Sequence, residues 1–171
     1  FLIQNSLFFN EKIWANEDCF FNIITNFFSE NSQNLDLPIY CWRCNDKSVS
    51  RDPDFLFKTL HQLILSNDSV VEMMILKGDD ESNIAYTIFD LICKLYLDFS
   101  KPGWNEERNK ENRDITLKTL RWFIEKNGSH CSILSPEDKR KILQTVRGTD
   151  HYQFIETMTF DDFIKMVMNY E

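Results

Sequence analysis

The cysteine pair Cys41-x-x-Cys44 is the first feature of the sequence that could do chemistry. A gap of two residues lets both sulfurs bind one zinc ion, but a structural zinc site needs four ligands. The other neighbouring pair of suitable residues is His130-Cys131, which lacks that spacing. A thioredoxin-like redox role would require a βαβ pattern around the motif, and none is present. We therefore predict neither a metal nor a cofactor, and interpret Cys41 and Cys44 as loop thiols.

The acidic stretch 79–83 has the composition of the start of a calcium-binding loop. An EF-hand needs glycine at its sixth position and glutamate at its twelfth, where this chain has Ile84 and Asp90. Because the sharp turn at position six depends on glycine, we expect no calcium site. The carboxylates are better placed to begin a helix, where the positive end of the helix dipole favours negative charge.

Catalytic signatures are weak along the whole chain. His61, His130 and His151 can each act as a general base, but no serine or cysteine occupies a recognisable nucleophile motif. Only four glycines are available to build phosphate-binding loops. The sequence therefore predicts a protein that is not an enzyme. An enzyme whose site is assembled from distant residues is the third hypothesis on function.

One dense basic cluster occurs near the C-terminal end, in the predicted helix 139–147. It contains Lys139, Arg140, Lys141 and Arg147, which on one helix can contact phosphates. The same residues are typical of the solvated face of an amphipathic helix. The net charge of the chain is −8, which opposes binding to a phosphate backbone. A nucleic-acid-associated helical domain is therefore the second hypothesis, and we expect no direct nucleic-acid binding.

Four residues, Tyr40, Trp42, Arg43 and Trp104, are predicted at loops or helix starts rather than on buried helical stripes. Tyrosine, tryptophan and arginine are the residue types enriched at the energetic centres of protein interfaces. Two interpretations stay open for these side chains. They cap the hydrophobic core, or they contact a protein partner.

The elements that position these residues are predicted to be helices. The stretch 82–99 is apolar nearly all round, as expected of a central helix with neighbours on several sides. Its buried stripe contains Ile84, Ile88, Leu91, Leu95 and Phe99. Charged residues interrupt it too often for a membrane span, so we expect no membrane insertion.

Helical periodicity also covers most of the remaining sequence. Residues 2–9, 16–28 and 53–64 carry it before the central helix, and the polar run 66–69 is predicted to separate the third of these from a short helix at 70–76. After the central helix, periodicity and capping residues predict helices at 104–126, 136–148 and from 160 onward. This gives seven or eight helices, and a long loop at 29–52.

Composition supports the same fold class. Four glycines and four prolines are too few for the many tight turns of sandwiches and barrels, whereas fifteen phenylalanines supply a large core. We predict a single all-α domain over residues 1–171, built as an irregular multi-helix array. A solenoid fragment of the HEAT or armadillo kind and a closed helical bundle both fit. The first residue is Phe1 rather than methionine, which favours a piece of a larger protein.

These features together favour a non-enzymatic helical module for protein–protein interaction, a scaffold or adaptor subunit of a larger complex, with a protein as its partner. The cysteine count is five, and Cys19 and Cys93 lie within apolar helical patterns. An odd number of thiols in such positions is typical of a reducing compartment. We therefore expect an intracellular protein, either cytoplasmic or nuclear.

Overall fold

The structure is a computed structural model that describes residues 2–4, 8, 17–29, 54–101, 103–149 and 158–170. It is 82% helical, and no strand occurs in the described ranges, which confirms the all-α prediction. Six α-helices are present in these ranges: α1 Glu17–Phe28, α2 Phe55–Lys77, α3 Glu81–Phe99, α4 Lys110–Asn127, α5 Pro136–Thr149 and α6 Phe160–Met168. Two 3₁₀ segments, Glu107–Asn109 and Gly128–Ile133, connect α3 to α4 and α4 to α5.

The described ranges hold six α-helices rather than the predicted seven or eight, in part because α2 is continuous. The helix predicted at 2–9 lies mostly outside the described residues, and residues 2–4 form a turn. The polar run 66–69 does not break α2. The Ser66 hydroxyl and the Asn67 amide both donate to the carbonyl of Leu63, at 2.9 Å each, and the Ser69 hydroxyl donates to the carbonyl of Leu65 at 3.2 Å. Because these side chains bond back onto the turn before them, the polar residues are accommodated without leaving the helix.

The predicted central helix is confirmed as α3. Eleven of its side chains are buried, more than in any other helix with a described interior. Asp80 caps its start, since one carboxylate oxygen accepts from the backbone N–H of Ser82 at 2.7 Å. That hydrogen bond lowers the pKa of Asp80. The acidic stretch therefore begins a helix, as predicted. No helix in the described ranges is both long and apolar enough to cross a membrane.

The remaining helices surround α3 and α2. Three elements pack against α3: α2, the 3₁₀ segment Gly128–Ile133 and α5. In addition, α4 packs against α2, and α6 packs against α4. The helices α2 and α4 run parallel, because Asp54 pairs with Arg108 just before both begin and Asp68 bonds to Asn127 further along both. No repeating unit of a solenoid is evident among these described elements.

An aromatic cluster joins α6 to the core. The ring of Phe163 lies 5.5 Å from that of Tyr96 and 5.2 Å from that of Phe99, between ring centroids. The Tyr96 hydroxyl donates to the carbonyl of Met158 at 2.8 Å, which fixes the chain just before α6. Buried aromatic pairs at these separations add to the stability gained from burial alone.

Candidate functional site

A polar clamp joins the second half of α2 to the C-terminal end of α4. One carboxylate oxygen of Asp68 accepts from the side-chain amide of Asn127 at 2.9 Å, and both groups are buried. The other oxygen accepts from the ammonium of Lys126 at 2.7 Å. That ammonium also donates to Glu72 at 2.7 Å. Four side chains from two helices thereby satisfy one another, which fixes the spacing between the helices.

The clamp also sets the charge state of Lys126. Partial burial disfavours the ammonium, but its hydrogen bonds to Asp68 and Glu72, and the charges of those two carboxylates, outweigh this and raise the pKa of Lys126. The lysine therefore stays protonated at neutral pH, and its charge is already engaged by Asp68 and Glu72. Neither Lys126 nor Glu72 is then an uncommitted charge on this surface.

Beside the clamp, a shallow groove of about 320 Å³ lies open to solvent between α2 and α4. It is lined by Leu65 of α2 and by Lys118, Thr119 and Trp122 of α4. Trp122 is 41% exposed at the rim, an unusual position for the largest apolar side chain. The ammonium of Lys126 lies 5.0 Å from the centroid of the Trp122 ring, within cation–π range.

The exposed apolar surface extends along α4 beyond the groove. Ile115, also 41% exposed, precedes Thr119 by four residues and Trp122 by seven, so the three share one helix face. Helical periodicity predicts a buried stripe on this helix made of Ile115, Leu117, Leu120, Phe123 and Ile124. For Ile115 that prediction is wrong. Helical spacing identifies which residues share a face, but it does not show whether a neighbouring helix covers that face.

The groove lining combines two apolar side chains, Leu65 and Trp122, with two polar ones, Lys118 and Thr119. The Thr119 hydroxyl donates to the carbonyl of Ile115 at 2.8 Å, so it is committed to the helix backbone. Lys118 is exposed and forms no ion pair with any residue that the structure describes. The surface therefore offers aliphatic groups, one indole and one uncommitted cation. This combination suits non-covalent binding of an apolar segment that carries negative charge.

Of the predicted contact residues, only Trp104 falls in the described ranges, and it is buried. It is 1% exposed, with its ring centroid 4.1 Å from that of Phe99 and 5.4 Å from that of Phe57. Of the two interpretations left open by the sequence, the burial of Trp104 favours core capping. Glycine at 103 allows this placement: its φ is +90°, and an added Cβ would lie 3.3 Å from the Phe57 ring.

The other sequence-predicted site residues, Tyr40, Trp42 and Arg43, lie outside the described residues, as do Cys41 and Cys44. The same holds for all of the predicted loop 29–52 except Ser29. Their roles stay predictions. No group of three histidine, cysteine, aspartate or glutamate side chains that could hold a metal occurs in the described ranges.

The basic cluster of α5 is partly engaged by the protein itself. Lys141 pairs with Glu137 at 3.0 Å, and the ammonium of Lys139 lies 5.9 Å from the centroid of Phe89. The guanidinium of Arg147 lies 6.0 Å from the centroid of Tyr96. These contacts draw positive charge toward the helix and the core. The nucleic-acid hypothesis stays a prediction.

Among the histidines, His61 is half-buried on α2, and burial lowers its pKa. The neutral form of His61 is therefore favoured at physiological pH. His130 lies in the 3₁₀ segment after α4, and His151 is outside the described residues.

Two cysteines, Cys93 of α3 and Cys131 of the following 3₁₀ segment, are buried free thiols. Burial, with the nearby charge of Asp90, raises the pKa of Cys93 to about 12. Burial also raises the pKa of Cys131, whose sulfur contacts the carbonyl of Ala85 at 3.8 Å. Since the thiolate is the reactive form, both thiols are expected to be inert in the folded protein.

We predict that Cys93 and Cys131 resist a disulfide-exchange reagent at pH 8 in the native protein and react fully after denaturation. Both thiols are buried, and a pKa near 12 leaves Cys93 about 0.01% thiolate at that pH. Peptide mapping by mass spectrometry would distinguish these two residues from the other three cysteines. Labelling of Cys93 as fast as that of a free small thiol would contradict the buried placement.

With this geometry established, comparison with known proteins adds no relative. The chain matches no protein family, no curated protein and no solved structure at a significant level. Its function therefore has to be argued from its own residues. The surface that stands out among those described is the groove between α2 and α4.

Proposed function

We propose that this chain is a non-enzymatic helical module for protein–protein interaction, and that it contacts its partner through the groove between α2 and α4. A role as a scaffold or adaptor subunit inside the cell is part of the same proposal. The observation that carries it is Trp122, a tryptophan 41% exposed at the rim of an apolar groove. Tryptophan is among the residue types that most often dominate the binding energy of an interface.

The polar clamp supports this proposal because it makes the groove a fixed shape. Asp68 bonds to Asn127 and Lys126 one to two turns from Trp122. Helices held in this way lose little conformational freedom when a ligand binds, so more of the contact energy appears as affinity. An exposed tryptophan on a mobile loop would lack that advantage.

The groove is tested by site-specific photo-crosslinking in the cells from which the protein comes. A photoreactive phenylalanine analogue replaces Ile115, an exposed apolar residue on the same face of α4 beside the groove. We expect it to capture a defined protein partner, identified by mass spectrometry. Adding Trp122→Ala should reduce this crosslink by about tenfold or more, because a hot-spot residue contributes roughly 2 kcal/mol.

The matched control places the same analogue at Arg140, an exposed position on α5 that does not line the groove. That protein should not capture the same partner. Circular dichroism and melting temperature must show that Trp122→Ala leaves the fold intact. Equal capture from both positions, or capture insensitive to Trp122→Ala in a folded protein, would overturn the groove as the contact surface.

The predicted surface at Tyr40, Trp42 and Arg43 is a separate part of the same hypothesis. These residues have the composition of an interface hot spot, and the predicted loop 29–52 that contains them begins and ends with polar runs. The same crosslinking experiment, with the photoreactive analogue at Trp42, tests whether these residues contact the partner that Trp122 contacts.

A further inference from the structure

We infer, on the basis of the proposed function, that the segment bound by the groove is an amphipathic helix of a partner protein with an acidic side chain opposite Lys118. The shape of the groove, the spacing of its apolar residues and the state of its charged groups each support this choice. The inference goes beyond the general proposal because it states the secondary structure and the charge of the ligand.

The other common forms of peptide recognition do not suit this surface. Addition of a β-strand needs a sheet edge, and the described ranges contain no strand. Proline-rich segments dock on several aromatic rings, whereas Trp122 is the one ring lining this groove. Phosphorylated segments require a cluster of arginines, and the nearby Arg121 already pairs with Glu125 at 2.9 Å. A helix laid into an apolar groove is the mode that a surface formed between two helices fits.

The apolar stripe on α4 has the dimensions that a short helix requires. Ile115 and Trp122 are seven residues apart on one face, which corresponds to roughly 10 Å along the helix axis. Leu65 of α2 forms the opposite wall of the groove at its middle. A ligand helix can therefore place two turns of apolar side chains against Ile115, Leu65 and Trp122.

The charge preference follows from which groups are already engaged. Lys126 donates to Asp68 and Glu72, and Arg121 is paired with Glu125. Lys118 lines the groove and has no ion pair among the described residues. The whole chain carries a net charge of −8, but charges more than about 8 Å apart are largely screened at physiological ionic strength. Lys118 is therefore the cation of the groove lining that can pair with a ligand, which favours an acidic side chain next to it.

The test is selection of peptides from a displayed library of amphipathic helices of about 20 residues, a length at which isolated helices become stable. The full chain serves as the target, and Trp122→Ala serves for counter-selection. We expect the enriched peptides to carry aspartate or glutamate at a fixed distance from a bulky apolar residue. For a synthetic peptide of this kind, Trp122→Ala should weaken binding by about 30-fold.

Lys118→Glu should weaken the same peptide by roughly fivefold, since an exposed ion pair contributes little and reversal adds repulsion. A peptide with lysine in place of its acidic residue should recover the affinity for Lys118→Glu.

Two further variants complete the set. Thr119→Arg fills the groove and should also abolish binding, whereas Tyr86→Ala, which removes an exposed aromatic on α3 outside the groove lining, should leave it unchanged.

Each outcome decides the inference. Peptides that require Trp122 but show no acidic preference, or that favour lysine and arginine, would overturn the ligand class and leave the proposed function standing. Failure to obtain any peptide that requires Trp122 would count against both. Sedimentation of the chain as a dimer that Trp122→Ala dissociates would identify a second copy as the occupant, and would also overturn the inference.

Discussion

Phe163→Ala is expected to lower the free energy of unfolding by about 3–5 kcal/mol, the largest effect of any single change considered for this protein. Phe163 is fully buried and contacts the rings of Tyr96 and Phe99. Its removal leaves a cavity at the junction between α6 and α3. Because α6 has only nine residues, it depends on this contact rather than on its own helical stability.

Chemical denaturation followed by far-ultraviolet circular dichroism measures this loss. Phe163→Leu serves as the matched variant, because it keeps most of the volume and should cost roughly 1.5 kcal/mol or less. If α6 detaches without unfolding the rest, hydrogen exchange will show protection lost in α6 alone. A loss of less than about 1 kcal/mol with α6 still protected would contradict the packing of Phe163 in the core.

The second large effect is expected at Asp68. Asp68→Ala should cost about 2–4 kcal/mol, because it leaves the buried amide of Asn127 without an acceptor and removes one of the two carboxylates that bind Lys126. The physical origin differs from that of Phe163. Here the cost comes from polar groups left unsatisfied rather than from lost apolar contact.

The clamp predicts a graded series, which urea denaturation of each variant can measure. Glu72→Ala removes an exposed contact and should cost roughly 0.5 kcal/mol, an amount that decreases at high salt. Lys126→Met should fall between Glu72→Ala and Asp68→Ala, because Asp68 keeps its bond to Asn127. Equal losses for Asp68→Ala and Glu72→Ala would show that the buried hydrogen bond does not hold the two helices together.

Some features of this protein are fixed locally, and these could be predicted from sequence. Helical periodicity, the scarcity of turn-forming residues and the capping groups act over a few residues, and they predicted an all-α protein with α3 at its centre. The carboxylate of Asp80 accepts from a backbone N–H only two residues away, so the start of α3 was also predictable. The bundle of six described helices follows the same apolar pattern along the chain.

The run 66–69 shows where local patterns are insufficient. Four polar residues in succession normally favour a break in a helix, because their side chains compete for backbone hydrogen bonds. Here the continuity of α2 is supported by Asp68, whose partners Lys126 and Asn127 lie 58 and 59 residues further along the chain. Nothing near the run in sequence specifies those partners.

Whether the two tryptophans of the 104–127 region are buried or exposed was decided by the tertiary structure. For Trp104 the sequence left core capping and partner contact both open, whereas in the structure Phe57 of α2 and Phe99 of α3 pack against it. Trp122 lies outside the predicted buried stripe of α4. That position was the one sequence feature that indicated its exposure. Sequence periodicity determines which side chains share a helix face, whereas exposure depends on whether a distant helix packs against that face. That is why the sequence predicted the helices, and only their packing produced the groove.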